Sequence, residues 1–201
     1  MSLTQAQMFE QFKAEKPGMT WRAYWENLCL KNLELYHSLG FHLIPIAKHR
    51  KAPLRGEAWA EPEYKLKSDI ALKMLCDGFN IAVVAGLSGL VLLDHDAELS
   101  ASLKPLAFET MTEKTPRGYC IFTAEPFDRK LWKQFSKRFP TFDNPRVDIM
   151  YALVPPSRTC VNDFRGMDSC TRHDLRVREW VSSVRRPMPF KEFVESATNI
   201  G

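Results

Sequence analysis

The segment Leu90-Val91-Leu92-Leu93-Asp94-His95-Asp96 constrains the fold more than any other stretch of the chain. A run of four aliphatic residues suits a strand buried on both faces and is short for a helix. It stops at two carboxylates, two positions apart. Side chains alternate between the faces of a strand, so Asp94 and Asp96 emerge on the same side of its end. Hard oxygen ligands so placed suit a divalent cation that keeps positions open for phosphate oxygens. The same residues also read as an acidic turn in which Asp96 caps a helix over Ala97–Leu103.

The flanking sequence supplies partners for this strand. Trp21, Tyr24, Trp25, Leu28, Leu35 and Leu39 recur at helical spacing, and Gly40 follows where a helix C-cap sits. Phe41–Ile46 reads as a strand with Pro45 near an edge, 48–63 as a loop punctuated by Pro53, Gly56 and Pro62, and Lys67–Asp77 as a short helix. Asn80–Gly86 and Leu90–Leu93 are apolar runs joined by Leu87-Ser88-Gly89, which predicts two strands paired through a tight turn. Thr110–Thr112 and Tyr119–Thr123 predict strands around the turn Lys114–Gly118, and Arg129–Arg138 a helix. Val147–Val154 predicts a strand stopped by Pro155-Pro156, Val161–Thr171 an excursion from the core, Trp180–Val184 a last short element and Phe190–Ala197 a terminal helix. Strands joined by short turns, with helices between them, give an α+β domain with a mainly antiparallel sheet.

Composition narrows the function. The chain has 201 residues, 45% of them apolar and 26% charged, enough for a core that needs neither disulfide nor metal to form. Its longest apolar runs fall far short of the roughly 20 residues of a membrane span, and Met1–Glu15 carries no secretory pattern. Five cysteines, an odd number, fit a reducing compartment, so the expected location is the cytoplasm. The net charge of +4 hides an asymmetry: 129–186 holds thirteen Lys and Arg against six Asp and Glu, +7, and leaves −3 for the remainder. Such a basic half is the footprint of a polyanion partner or a solvated basic face. No nucleophile elbow and no Walker or Rossmann glycine loop occurs, which removes hydrolase, ATPase and dehydrogenase readings.

Further candidates lie downstream. Asp148 falls within Arg146-Val147-Asp148-Ile149-Met150 on the predicted strand, where a buried Asp needs a metal or a hydrogen-bond partner; it also reads as an exposed Asp on an edge strand or a partner for Arg146. Thr115-Pro116-Arg117-Gly118-Tyr119 offers a hydroxyl, a guanidinium and a permissive glycine in one turn, which suits phosphate. Pro155-Pro156-Ser157-Arg158-Thr159 offers two more hydroxyls and another arginine. Cys160, Cys170 and His173, spaced Cys-x9-Cys-x2-His, are zinc-type ligands for which Asp163, Asp168 or Asp174 would have to add a fourth; they also read as loop residues without a metal. Cys29 and Cys76 sit among apolar residues as core side chains, and His37, His42 and His49 have no partner at a telling spacing.

In order along the chain stand Gly40-Phe41-His42-Leu43-Ile44-Pro45, Lys51-Ala52-Pro53-Leu54, Trp59, Asn80–Gly86, Ser88–Asp96, Thr115–Tyr119, Val147-Asp148 and Pro155-Pro156-Ser157. Over residues 25–182 this order resembles the bifunctional primase-polymerase (prim-pol) domain of the archaeo-eukaryotic primases, as found in archaeal plasmid and virus replication proteins. The resemblance implies an α+β prim-pol fold, a catalytic RRM-like antiparallel sheet packed with a smaller α/β unit. It implies domain limits of 1–20 for an N-terminal extension, 21–186 for the prim-pol domain and 187–201 for a C-terminal tail or helix. By matching motif, Asp94, Asp96 and Asp148 would bind two Mg²⁺ or Mn²⁺ ions for nucleotidyl transfer. Thr115, Arg117, Cys120, Ser157 and Arg158 would line the nucleotide, and Cys160, Cys170 and His173 would form a zinc stem over 158–176 holding one structural Zn²⁺. The implied partners are a DNA template and primer, nucleoside triphosphates and a replicative helicase on the same or another chain, with no membrane. One position departs from the family. Where its Arg-Gly-Tyr-His pattern puts a phosphate-contacting histidine, this chain has Cys120, a weak donor, with Arg117 or His95 as substitutes. The two functions implied are a primer-synthesising or primer-extending enzyme and a DNA-binding module of the same fold without effective catalysis.

Overall fold

The helical spacing that begins at Trp21 is realised in the computed structural model, which describes residues 5–48, 50–54, 58–160 and 175–200. After helix α1 (Gln5–Glu15), helix α2 (Trp21–Ser38) starts where the Thr20 hydroxyl accepts the Ala23 N–H at 3.2 Å. Trp25, Cys29, Leu33 and Tyr36 form its buried stripe. It ends in a Schellman turn, in which the Phe41 N–H reaches the Tyr36 carbonyl and the Gly40 N–H that of His37. Gly40 holds φ +69° there, a conformation that a side chain would make costly.

The strands are β1 (Leu43–Ile46), β2 (Asn80–Val84), β3 (Leu90–His95), β4 (Met111–Lys114), β5 (Tyr119–Ala124), β6 (Tyr151–Leu153), β7 (Arg158–Cys160), β8 (Leu175–Val177), β9 (Glu179–Trp180) and β10 (Met188–Pro189). The expected pairing of β2 with β3 does not occur. Gly86–Ser88 form one 3-10 turn and Gly89 takes φ +63°, which carries the chain out of one sheet and into another. β2 becomes the middle strand of a small antiparallel sheet, β1-β2-β6, while β3 runs antiparallel to β5 along its whole length. β4 and β9 extend that larger sheet on the other side of β5, and β10 adds a short parallel bridge. Two apolar runs of this kind announce burial without saying which strands flank them.

The predicted strand over Val147–Val154 is also shorter, because β6 covers only Tyr151–Leu153. Asp148 lies in the turn before it, exposed and at φ +54°. That turn is closed by the Met150 N–H on the Val147 carbonyl at 3.0 Å, and the Asp148 carbonyl accepts the Gly86 N–H at 2.7 Å. Aspartate tolerates the left-handed conformation that this bracing imposes.

Alternation along β3 and β5 divides the core. Leu90, Leu92 and Phe122 pack with Trp25, Leu33 and Tyr36 of α2 and with Ile81 and Val83 of β2, above helix α3 (Ser68–Cys76). Val91, Leu93 and Ile121 face the opposite way, against helices α4 (Leu103–Phe108), α5 (Arg129–Arg138) and α6 (Phe190–Asn199) through Leu103, Phe135 and Phe193. Each such fully buried side chain contributes about 1.5–3 kcal/mol. Among the described residues no helix is long and apolar enough to cross a membrane. The arrangement is the α+β, mainly antiparallel one that the pattern predicts.

Candidate functional site

The face of β3 that carries Leu90 and Leu92 arrives next at Asp94, so this carboxylate emerges beside the core shared by the two sheets. Register extends the row sideways: Asp94 stands opposite Cys120 of β5, and Cys120 opposite Glu113 of β4. Asp94 is largely buried, with 15% of its side chain exposed, and accepts a hydrogen bond from Arg146 Nη2. Arg146 is held for this task because its backbone exchanges hydrogen bonds with Leu92 at 2.9 and 3.0 Å and its Nη1 donates to the Tyr151 carbonyl at 2.8 Å. One position past the strand, Asp96 meets Arg117 Nη2 at 2.6 Å. Arg117 comes from the β4–β5 turn, which Gly118 lets lie directly against the His95 backbone.

The cleft beside these pairs is a cavity of about 670 Å³ lined by Lys51, Asp143, Asn144, Arg146, Ile149, Met150 and Tyr151. Burial pushes the Lys51 ammonium pKa down, helped by Arg178 and Arg117, while Asp94 and Asp96 pull it back up. Glu113, fully buried, is pushed up to about 7, first by desolvation, against the opposing pull of Arg178. Its Oε1 accepts from Arg178 Nη1, and its Oε2 has no hydrogen-bond partner among the described residues. Burial also drives the Cys120 thiol well up, with Asp94 and Glu113 adding to the effect, so it stays protonated. For Arg146, burial is the largest influence and works against the charged form, but Asp94, Cys120, Glu113 and Asp143 together outweigh it, leaving the guanidinium pKa raised.

Several expected site residues lie elsewhere. Asp148 is in the exposed turn rather than on a strand, and among the described residues no three His, Cys, Asp or Glu side chains converge as metal ligands would. Ser157 is fully buried, its hydroxyl accepting from the Ile81 N–H at 3.2 Å and donating to the Ile81 carbonyl at 3.0 Å. It bolts a loop to β2. Arg158 lies 4.5 Å over the Trp25 ring and donates to the Leu75 carbonyl at 3.1 Å, on the α2 and α3 side. The Thr115 hydroxyl, expected on phosphate, accepts the Gly118 N–H at 3.0 Å and closes its own turn. Cys120 stands on its strand opposite Asp94, as the motif demands, but is buried. His95 cannot stand in for the missing histidine. It points to the opposite face, donates from Nδ1 to the Ala97 carbonyl at 2.8 Å, and meets the Thr141 hydroxyl through Nε2 at 2.9 Å. The zinc-stem residues Cys170 and His173 lie outside the described residues, as does the Cys160 side chain; β7 and β8 at the base of that segment pair with each other.

The sequence reading gave no role to Glu113 or Arg178, named Lys51 only within the Lys51–Leu54 motif, and weighed Arg146 as one partner for Asp148 rather than for Asp94. Glu113 falls one position past the predicted strand Thr110–Thr112, so no local pattern marked it, and the other three sit on irregular segments. As a test for cations, the donor set is mixed. Asp94 and Asp96 are hard oxygen donors of the type a divalent ion takes, each now facing a guanidinium, whereas the three-carboxylate centre with Asp148 is not assembled among the described residues. The arrangement can bind phosphate through Arg117, Arg146 and Lys51, and a cation through the acidic pair.

No curated protein matches the chain. The Prim-Pol family, described as bifunctional DNA primase/polymerase, N-terminal, matches residues 32–189 and so takes in both sheets, the acidic strand and the arginines that face it. On that match, the chain belongs to the Prim-Pol family, whose primase/polymerase function in DNA replication entails binding DNA and nucleotides.

Proposed function

We propose that the protein is a nucleotidyltransferase of the primase-polymerase type, which synthesises or extends primers on a DNA template from nucleoside triphosphates. The observation that carries this reading is the acidic pair at the end of β3, each member facing a guanidinium beside a cleft that Lys51 also lines. Arg117 and Arg146 neutralise the pair in the free protein, and guanidinium groups pair equally well with phosphate oxygens. Asp94 and Asp96 are the residues that would hold Mg²⁺ or Mn²⁺. When bound, such an ion supplies Lewis-acid stabilisation of the phosphoryl oxygens. Exposed Ile149 and Met150 give the nucleotide's less polar parts a surface on the same rim. The resemblance to plasmid and virus replication proteins supports placing this activity in the replication of a mobile element.

A second reading, a DNA-binding module without chemistry, is favoured by Asp148 standing apart and by buried Cys120. Extension of a labelled primer on a single-stranded template, with Mn²⁺ or Mg²⁺, separates the two. Wild-type extension lost on Asp94→Asn supports the enzyme. DNA binding without extension, under every nucleotide and metal tried, overturns it in favour of the module.

A further inference from the structure

Between the sheets and the N-terminal helices, α2, the Pro155-Pro156 turn and β9 line a cavity of about 340 Å³. Tyr24 and Trp180 supply aromatic wall, and Lys31, Arg178 and Arg185 supply three cations against one carboxylate, Glu179. Trp180 is fixed in place, since its Nε1–H donates to Asn32 Oδ1 at 2.9 Å and its ring packs edge-on against Phe122 at 5.1 Å. Arg178, with 8% of its side chain exposed, reaches from this wall to Glu113 with one end, and its buried Nε–H has no acceptor among the described residues. With Arg178 committed to Glu113, Lys31 and Arg185 leave the wall an excess of positive charge that calls for an anion, and rigid aromatic faces beside them call for a flat, weakly polar group. An unpaired nucleotide combines the two, and base-on-aromatic stacking with phosphate on Lys and Arg is how single strands are held.

We infer that this cavity is a second nucleic-acid site, taking one unpaired nucleotide of single-stranded DNA, with its base against Trp180 and Tyr24 and its phosphate towards Lys31 and Arg185. It shares no lining residue with the cleft at Arg146. The choice of DNA as ligand rests on the family's function; the site itself does not rest on the cleft being catalytic.

The test is fluorescence anisotropy of a labelled, short oligothymidylate titrated with the whole chain in EDTA, over a range of salt. Lys31→Glu with Arg185→Glu is expected to weaken binding about tenfold or more and to flatten the slope of log affinity against log salt by about 0.7, the contribution of one single-strand phosphate. Lys73→Glu, at an exposed position of α3 outside both cavities, is expected to bind as wild type. Melting curves identify any variant that fails to fold, and Lys31→Glu alone, at an exposed position of α2, then carries the test. Unchanged affinity and salt slope in the folded charge variants overturn the proposal, as does equal affinity for a blunt duplex of the same length.

Discussion

Gly118 and His95 meet backbone to backbone: a β-carbon on Gly118 would lie 1.8 Å from the His95 carbonyl oxygen and 2.7 Å from the Ala97 nitrogen. This contact seats the Thr115–Gly118 turn on the segment that carries Asp96, and so sets Arg117 against that carboxylate. Gly118→Ala is expected to destabilise the fold by at least the ~1–3 kcal/mol typical of overpacking, because the obstacle is backbone. Denaturant unfolding measures the loss, and nucleotide titration is expected to show weaker binding than in Arg117→Lys, where the turn stays seated.

The two strand-end carboxylates and Asp148 should separate in a primer-extension assay. Asp94→Asn and Asp96→Asn are expected to lower extension about 10²-fold or more, the scale seen when one transition-state contact is removed. Asp148→Asn keeps a residue at ease at φ +54° and is expected to keep both fold and nucleotide binding. Loss of binding in Asp148→Asn would show that the turn closes onto the cleft.

Glu113 gives stability a pH dependence of definite sign. Its folded pKa of about 7 lies above its ordinary value of 4.5, so between those values the folded state holds a proton that the unfolded chain has released. Stability from this group is therefore complete below about pH 4.5 and falls as pH rises towards 7. A tenfold change in ionisation is worth about 1.4 kcal/mol, which makes the fall a few kcal/mol at most. Urea unfolding of wild type beside Glu113→Gln from pH 5 to about 8 reads the difference, with the variant gaining on wild type as pH rises.

Buried residues of the recognised motifs should report on stability rather than on ligand. Ser157→Ala removes two hydrogen bonds to Ile81 and is expected to cost about 1–3 kcal/mol without altering nucleotide affinity. Cys120→Ala should leave that affinity unchanged as well. Cys120→His, which restores the family's residue, is expected to cost stability, because the position is 1% exposed and lies between Asp94 and Glu113 in register.

Periodicity carried the elements well, since α2 with its Gly40 stop, the β4–β5 hairpin and α5 depend on local spacing that a single chain displays. Topology was less legible. Whether β2 and β3 pair depends on Gly86 packing under Asp148, some sixty positions away, and no local pattern encodes that contact. The acidic pair was visible because it closes an apolar run. Ser157 and Arg158 looked like ligand groups because a hydroxyl and a guanidinium have the same letters whether they face phosphate or a buried carbonyl. Glu113 was invisible for the converse reason, a charged residue in a polar-looking strand whose burial is settled by α2 and Arg178.

Because β2 and β3 are consecutive yet serve different sheets, the chain itself is the seam between the two walls. A β-carbon on Gly86 would fall 2.8 Å from the Asp148 α-carbon, so the seam is stitched where the two crossings touch. Insertions or deletions between Val147 and Tyr151 would then alter the gape of the cleft while leaving the ladders of both sheets unbroken. Relatives with longer turns at that place would differ in how widely they open to a template, with the acidic strand itself unaltered.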